Sequence, residues 1–255
     1  MYLRPETIVH DWTAVEHFIT SHPLGLLTTS IPLPGQSTIQ ASHLPFLYTP
    51  PDEPPSSTDQ EGSNVAKTSV IGVWNGPDLG VLRCHLARSN PQAKALVHLE
   101  NQQKEEEVLV LFSDPTNQSG YISPQWYINT KPTTAKVVPT WNYSELQLYG
   151  QVTIVSPSQI VRDLSDTHEH RLAQTLKHPK DQVWSIDDAP KTYIELLQRA
   201  IIGVEIKVSK VAFKCKMSRE KNQGDRKGIL EGLRSVGAEG EAKVADSVER
   251  LGPLK

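Results

Sequence analysis

The chain has 255 residues, 37% of them hydrophobic and 22% charged, and its formal net charge is −3. This composition excludes an intrinsically disordered chain and provides enough apolar side chains for a buried core. The longest apolar run, at 108–112, is much shorter than the roughly 20 residues of a membrane-spanning helix, and the acidic balance argues against a polycation built for nucleic acid.

The N-terminus and the cysteines bear on the cellular compartment. Residues 1–6 contain no apolar segment typical of a secretory signal, and the two cysteines, Cys84 and Cys215, are too far apart for a metal-type spacing. Reduced thiols are the default in such a chain. The sequence therefore predicts a cytoplasmic protein, with the nucleus as the alternative, and no membrane partner.

Short β patterns dominate residues 1–155. Asp11 is a good N-cap for a first helix, which His22-Pro23 ends. A proline-rich stretch at 49–68 predicts a surface loop inserted between strands, and Asn90 caps a helix that begins at Pro91. Apolar patterns predict strands at 24–31, 38–48, 70–74, 79–85, 107–113, 120–127 and 145–155, the last with a bulge or close approach at Gly150.

Beyond residue 155 the apolar period lengthens to that of a helix. Helices are predicted from Ser156-Pro157, from about Pro190 and after a cap at Asp225, with one strand at 204–208 before the last of them. Segregated strands and helices indicate an α+β fold, in which a closed or nearly closed barrel at 1–155 carries a mostly helical region at 156–255. No linker separates the two parts, so we expect the helical region to pack on the barrel.

Signatures of familiar enzymes are absent from the sequence. It contains no GxSxG, HExxH, CxxC, Walker or GxGxxG motif. His168 and His170 flank Glu169 on a predicted helix, but positions i and i+2 point apart, so we predict a solvated helix face and no metal site. Cys84 and His85 are adjacent in a strand and face opposite sides, which argues against a nucleophile–base pair.

Two segments place polar groups in a β context. Ser42 and His43 stand in a strand that Pro45 interrupts, which predicts an edge or bulged strand. In the second segment, 80–91, a strand leads into a helix N-terminus and carries His85, Arg88, Ser89 and Asn90. A guanidinium beside a helix N-terminus makes a phosphate site. An equally supported alternative is that Asn90 caps the helix and Arg88 is solvated.

A third segment concentrates aromatic side chains. Two of the five tryptophans and three of the seven tyrosines fall within 121–127 and 138–143. Such clusters are usually core or interface, and they also suit a flat aromatic ligand edged by amide and hydroxyl donors. The candidate ligand-binding residues here are Ser123, Trp126, Thr140, Trp141 and Asn142.

These segments carry a resemblance that covers most of the chain. Ser42-His-Leu-Pro-Phe46, His85-Leu-Ala-Arg-Ser-Asn-Pro91, Tyr121-Ile-Ser-Pro-Gln-Trp-Tyr127 and Val138-Pro-Thr-Trp-Asn-Tyr143 resemble, in this order, successive motifs of the PaiB family. The resemblance implies a six-stranded, mainly antiparallel FMN-binding split β-barrel, related in fold to pyridoxamine-phosphate oxidases. It also implies a homodimer with the flavin near the subunit interface. The family's bacterial namesake is described as a negative transcriptional regulator.

The resemblance implies where FMN would lie. The phosphate would sit at Arg88, Ser89 and Asn90, and the candidate set also contains His85, Ser123, Thr140 and Asn142. The ring would lie by Ser42, His43, Trp126 and Trp141.

On this interpretation the chain is an FMN-binding flavoprotein with simple redox chemistry, either an FMN-dependent oxidoreductase or a flavin reductase with a small-molecule electron donor. Two alternatives stay open. One is a negative transcriptional regulator in which the flavin is structural or sensory. The other is a binder of another planar cofactor such as haem, since His43 and His85 are available as ligands.

A basic stretch lies near the C-terminus. It is typical of a surface that holds DNA phosphates or an anionic ligand, although the acidic net charge and the lack of a helix-turn-helix weigh against DNA. Within it, Arg219-Glu220 departs from the amide pair that the resemblance leads us to expect. The basic residues are Lys207, Lys210, Lys214, Lys216, Arg219, Lys221, Arg226 and Lys227, against only Glu220 and Asp225.

Overall fold

The computed structural model describes residues 1–55, 74–115, 120–179 and 183–252. Most of the predicted loop at 49–68, and all but the last residue of the predicted strand at 70–74, lie outside these ranges. The strands are β1 Leu24–Ser30, β2 Ile39–Pro45, β3 Leu47–Thr49, β4 Trp74–Asn75, β5 Val81–Ala87, β6 Glu107–Ser113, β7 Tyr121–Ile122, β8 Thr140–Trp141, β9 Tyr143–Val155 and β10 Ile201–Lys216.

The main sheet closes on itself because one interrupted strand supplies both of its edges. Its order is β2-β1-β6-β9-β10-β5-β3, with antiparallel pairing at every step. Only Phe46 separates β2 at one edge from β3 at the other, so the sheet must curl until its ends meet. Counting β2 and β3 as one strand that breaks after Pro45, the barrel has six strands, which confirms the expected fold.

The two longest strands, β9 and β10, form the spine of the barrel. Their pairing shifts register between Val208 and Lys210, opposite Gly150, and so confirms the bulge predicted there. A Cβ atom on Gly150 would overlap the backbone carbonyl of Lys207, so only glycine fits. The strand predicted at 204–208 is far longer than expected and lies between β9 and β5, so residues beyond 155 complete the sheet.

Most helices begin where the sequence predicts. Asp11 caps α1, and Asn90 caps α2. The predicted cap at Asp225 is wrong, because the Asn222 side chain accepts the backbone N–H of Asp225 and begins α6 three residues earlier. The helices are α1 Trp12–Ser21, α2 Pro91–Asn101, α3 Thr130–Thr134, α4 Pro157–Leu176, α5 Lys191–Arg199, α6 Gln223–Val236 and α7 Glu239–Leu251.

Helices surround the barrel on two sides. Helix α4 packs on β5 and β10, and α5 packs on β10. Helices α6 and α7 pack on each other, and α6 also packs on the short 3-10 turn Pro124–Trp126. The strand predicted at 120–127 is wrong beyond Ile122, because the Ser123 side chain caps that turn and ends the extended conformation.

Two apolar cores hold these layers together. The larger fills the barrel with residues such as Leu27, Phe112 and Leu148 and extends to α1 and α2. The smaller joins Ile122 and Tyr127 to α6, α7 and the end of β10. Within the described ranges, no helix is long and apolar enough to cross a lipid bilayer.

Candidate functional site

The first candidate site is the corner where β5 leads into α2. Pro91 opens the helix, and the Asn90 side chain accepts the Gln92 backbone N–H at 2.8 Å. The Asn90 amide also donates to Ser42 Oγ on β2 at 3.2 Å. Asn90 therefore caps α2 and links it to β2. These two hydrogen bonds account for the position of Asn90 without a ligand.

Arg88 and Ser89 are exposed at the same corner. Arg88 donates from Nε to the Arg199 carbonyl at the end of α5 at 3.0 Å, and its backbone N–H donates to the Ala200 carbonyl at 2.8 Å. This anchors the side chain at one nitrogen. Among the described residues no partner occupies its two terminal nitrogens, which remain available for a charged ligand.

A buried glutamine that the sequence analysis did not single out braces the corner. Gln92 is 1% exposed, and its Nε2 lies 3.1 to 3.2 Å from the Leu27 carbonyl, Thr29 Oγ1 and the Gln40 carbonyl. Its Oε1 has no hydrogen-bond partner in the described parts of the chain. Gln92 thus links α2 to β1 and β2 by hydrogen bonds. No sequence pattern marks it, because a polar residue early in a helix is ordinarily solvated.

A shallow cavity opens between β2 and the start of α2. Ser42, Ser89, Asn90 and Gln92 lie in its wall. The hydroxyl of Ser89 and the terminal nitrogens of Arg88 beside a helix N-terminus are the kinds of donor that a phosphate accepts. Ser89 and the helix N-terminus therefore fit the phosphate end of a flavin nucleotide, and Arg88 is the adjoining charged group, although its side chain does not line the cavity itself.

The two histidines of the candidate set lie outside the barrel core. Strand alternation buries Leu82, Cys84 and Leu86 on β5 and leaves His85 on the outer side, half-buried. Burial lowers the pKa of His85 below its usual value, so the imidazole is neutral at pH 7, and its Nδ1 has no partner among the described residues. His43, on β2 opposite Leu26, is exposed.

The aromatic candidates lie around the β7–β8 ribbon. The Trp141 ring is 46% exposed and meets the Tyr121 ring edge-on, at 5.7 Å between centroids. Trp126 packs over Gly232 of α6, where a Cβ atom would overlap its indole ring. Trp126 is therefore a packing residue of the smaller core, whereas Trp141 presents an accessible aromatic surface.

The polar members of this second group serve the local structure. Ser123 caps the 3-10 turn, and Thr140 accepts a hydrogen bond from Lys216. Asn142 is buried and accepts from Ser218 Oγ at 3.0 Å, while its Nδ2 has no partner within the described ranges. No hydrogen bond or ring contact among the described residues links this group to the α2 corner. One chain therefore presents two separate clusters.

The basic stretch does not form one continuous surface. Lys210 pairs with Glu107 at 2.6 Å. Arg226 is buried and donates to the carbonyls of Met217, Ser218 and Val248, which fastens α7 to α6; burial lowers its pKa. Three of the remaining cations, Lys214, Lys216 and Lys221, converge on one cavity.

The chain is similar to other proteins along its whole length. Residues 1–210 match the protein family described as "Putative FMN-binding domain". An uncharacterized protein of Aspergillus fumigatus is 36% identical over 100% of this chain and 99% of its own length. Protease synthase and sporulation protein PAI 2 of Bacillus subtilis is 26% identical over 75% of this chain and 83% of its own length, which confirms the resemblance to the PaiB family.

Solved structures are similar to this chain at low sequence identity. The FAD and heme binding protein from Mycobacterium smegmatis is similar to this chain with a TM-score of 0.45 and 10% identity. The similarity covers 83% of this chain and 74% of that protein. Within the described ranges, no group of three or more His, Cys, Asp or Glu side chains is arranged to hold a metal ion.

Proposed function

The chain belongs to the family of FMN-binding domains that its residues 1–210 match, and on that premise we propose that its flavin is FMN and that it supports simple electron-transfer chemistry. The observation that carries the proposal is the extent of this match, which takes in every barrel strand up to the last residues of β10. The absence of nucleophile and metal motifs from the sequence agrees with it, because a flavin itself supplies the redox chemistry when bound.

The α2 corner is the proposed phosphate site. Arg88 would supply two N–H donors and a full positive charge, and Ser89 a hydroxyl. The hydrogen bond from Arg88 Nε to the Arg199 carbonyl holds the guanidinium in place before any ligand arrives, so little side-chain freedom is lost on binding. The Asn90–Ser42 hydrogen bond keeps the helix start against β2.

A titration with FMN and riboflavin tests this assignment, since riboflavin lacks the phosphate. A charge-assisted contact of this kind contributes about 1.5–3 kcal/mol, so Arg88→Ala is expected to weaken FMN binding roughly ten- to a hundred-fold and leave riboflavin binding unchanged. Flavin fluorescence quenching measures both affinities, and FAD in parallel tests the choice of nucleotide.

Arg83→Ala is the matched control for this titration. Arg83 lies on the same strand, β5, but pairs with Glu205 at 2.8 Å, and no hydrogen bond or ion pair among the described residues connects its side chain to the corner. We expect it to bind FMN as the unaltered protein does. Equal FMN affinity in Arg88→Ala would remove Arg88 from the site, and no binding at tens of micromolar FMN would overturn the cofactor assignment. A thermal melt of each variant detects the loss of the bond to Arg199.

We further propose that the protein is a homodimer. Val138, Tyr121 and Trp141 are 72%, 44% and 46% exposed on one chain, more aromatic and apolar surface than a polar rim requires. A second copy that covers this ribbon would bring an aromatic cluster to a site that one chain leaves incomplete. Light scattering is expected to give twice the 28.4 kDa chain mass at micromolar concentration, and a monomer there would contradict the proposal.

A regulatory role is the second candidate, favoured by the similarity to the Bacillus subtilis protein whose name refers to protease synthesis and sporulation. The two candidates differ in a direct assay. Oxidation of NADH or NADPH in the presence of FMN supports a reductase, whereas salt-sensitive retardation of DNA supports a regulator. An absorption spectrum of the isolated protein distinguishes flavin from haem in the same experiment.

A further inference from the structure

A cavity of about 400 Å³ lies on the side of the molecule where the N-terminal segment crosses the end of β10. Its walls come from residues 2–7, from the segment that precedes β8, from Lys214 and Lys216 of β10, and from residues 220–221. None of these residues lines the cavity at the α2 corner. We call it the N-terminal cavity.

Positive charge dominates the N-terminal cavity. Five cationic side chains against two carboxylates leave a net charge of +3 on a molecule whose overall charge is −3. Within the cavity, Lys221 pairs with Glu220 at 3.5 Å. The cationic residues are Arg4, Lys136, Lys214, Lys216 and Lys221, and the acidic ones are Glu6 and Glu220.

The strand geometry of β10 explains why the lysines converge. Cys215 points into the smaller core, so its neighbours Lys214 and Lys216 both point outward on the same side. Lys214 donates to the Tyr2 carbonyl at 3.1 Å and lies 5.1 Å from the centre of the Tyr143 ring. The tertiary structure thus holds these ammonium groups in place.

Lys216 is the most constrained of these cations. It is half-buried and donates to Thr140 Oγ1, a neutral acceptor. Burial lowers its pKa, and the positive charges of Lys214, Arg4 and Lys221 lower it further, against a single opposing carboxylate, Glu220. Among the described residues around Lys216, cations therefore outnumber carboxylates, which favours an anionic ligand there.

Aromatic and hydroxyl groups complete the walls. The Tyr127 ring lies 5.4 Å from Lys221 Nζ, and Tyr143 and Val137 add further ring and apolar surface. Thr130 and Thr140 contribute hydroxyl groups. A volume near 400 Å³ is within the range of small-molecule sites and accommodates a ligand the size of a mononucleotide.

We propose that the N-terminal cavity binds a small organic phosphate, with the phosphate group at Lys216, Lys214 and Lys136 and the organic part against the tyrosine rings. A phosphate monoester carries close to two negative charges at pH 7 and accepts several hydrogen bonds, which matches clustered ammonium groups better than a single carboxylate does. This site is distinct from the FMN phosphate corner at Arg88.

Calorimetric titration with inorganic phosphate, 5′-AMP and adenosine tests the proposal on the full chain. AMP and adenosine differ only by the phosphate, so AMP is expected to bind and adenosine to bind at least tenfold more weakly. Lys216→Gln is expected to weaken AMP binding at least tenfold. Raised ionic strength is expected to weaken it as well, because the attraction is screened.

Two further variants keep the test decisive. Lys136 is exposed and its side chain contacts no partner in the part of the chain that the structure describes, so Lys136→Gln is expected to leave the fold intact. We expect it to weaken AMP binding three- to tenfold even if Lys216→Gln were unstable. Lys227→Gln is the control, since Lys227 lies outside the cavity beside Glu231 at 3.8 Å, and it is expected to bind AMP normally.

The opposing outcomes are equally clear. No binding of phosphate or AMP at millimolar concentration, or equal AMP affinity in all three lysine variants, would overturn the proposal. If Lys216→Gln weakened FMN as strongly as AMP while Arg88→Ala left FMN unaffected, the cavity would be the flavin site itself, and a separate organic-phosphate site would be refuted.

Discussion

Asp225 fastens the segment before α3 to the first turn of α6, and its charge carries a testable share of the stability. The residue is 1% exposed. Its Oδ1 accepts the backbone N–H groups of Asn129 and Thr130 at 2.9 and 3.0 Å, and its Oδ2 accepts from the Thr130 hydroxyl and from Asn222 Nδ2. The adjoining Tyr127 and Thr130 line the N-terminal cavity, so this clip also shapes that site.

The change Asp225→Asn keeps the shape and removes the charge. The two bonds to Oδ1 survive as neutral bonds and lose about 1 kcal/mol each, while the new amide nitrogen opposes the Asn222 amide, donor against donor, at a cost of about 1 kcal/mol or more. The sum is a loss of about 2–4 kcal/mol. For a chain of this size that corresponds to a fall in Tm of roughly 5–15 °C.

The pH dependence gives the sharper measurement. Burial alone would raise the pKa of Asp225, but the hydrogen bonds from Thr130, Asn129 and Asn222 outweigh it and lower the pKa below its usual value. The carboxylate therefore stabilises the fold fully above about pH 4 and loses this effect as the pH falls through its folded-state pKa. Thermal melts of the unaltered protein and of Asp225→Asn are expected to differ in Tm at pH 7, and this difference is expected to be smaller near pH 3.

Asp246→Asn is the control for this experiment. Its carboxylate is 75% exposed on α7, 3.7 Å from Arg234, and its removal is expected to leave the Tm unchanged. A Tm for Asp225→Asn equal to that of the unaltered protein at pH 7, or a difference that does not change with pH, would refute the assignment of this stability to a buried carboxylate.

Two further predictions concern packing and thiol chemistry. Gly232→Ala is expected to lower the free energy of unfolding by about 1–3 kcal/mol or more in a denaturant melt, because the new methyl group overlaps the Trp126 ring. Gly76→Ala is the control, since the nearest atom to its new Cβ is 3.9 Å away. Equal losses of stability in the two variants would contradict the overlap. Burial raises the pKa of both Cys84 and Cys215, so a thiol reagent is expected to find no fast-reacting group in the folded protein and two after unfolding, whereas rapid labelling of either thiol before unfolding would disprove their inaccessibility.

Elements that depend on local signals were predicted correctly, whereas those that depend on contacts between distant residues were missed or given wrong bounds. The strand at 107–113 and the start of α2 at Pro91 were predicted correctly, because alternation and capping are local signals. The helix α7 was not predicted, since only three of its residues, Val244, Ala245 and Val248, are buried and they give a weak apolar pattern. The strand at 204–208 was too short as predicted, because the bulge between Val208 and Lys210 interrupts the apolar alternation along β10.

The residues of the candidate site show the same dependence on local signals. Sequence reasoning found the polar residues of the α2 corner, including Asn90 and Arg88, from the order of strand, charged group and helix start. It did not find Gln92, whose partners Leu27 and Gln40 lie more than 50 positions away. Trp126, which was predicted to lie by the flavin ring, packs against Gly232 of α6, and its role toward a flavin stays a prediction.

The α+β class, the capped helices and the family resemblance follow from the order of amino acids alone, because they depend on local periodicity and on motifs that are contiguous in the chain. How the barrel closes around Phe46 and where the basic residues point depend on contacts between distant parts of the chain. Arg4 and Lys136 line the same cavity as Lys216 although they are distant from it in sequence, and only folding brings these charges to one cavity. Like charges are held together in one cavity because the packing of β10 against both cores fixes the side on which each lysine lies.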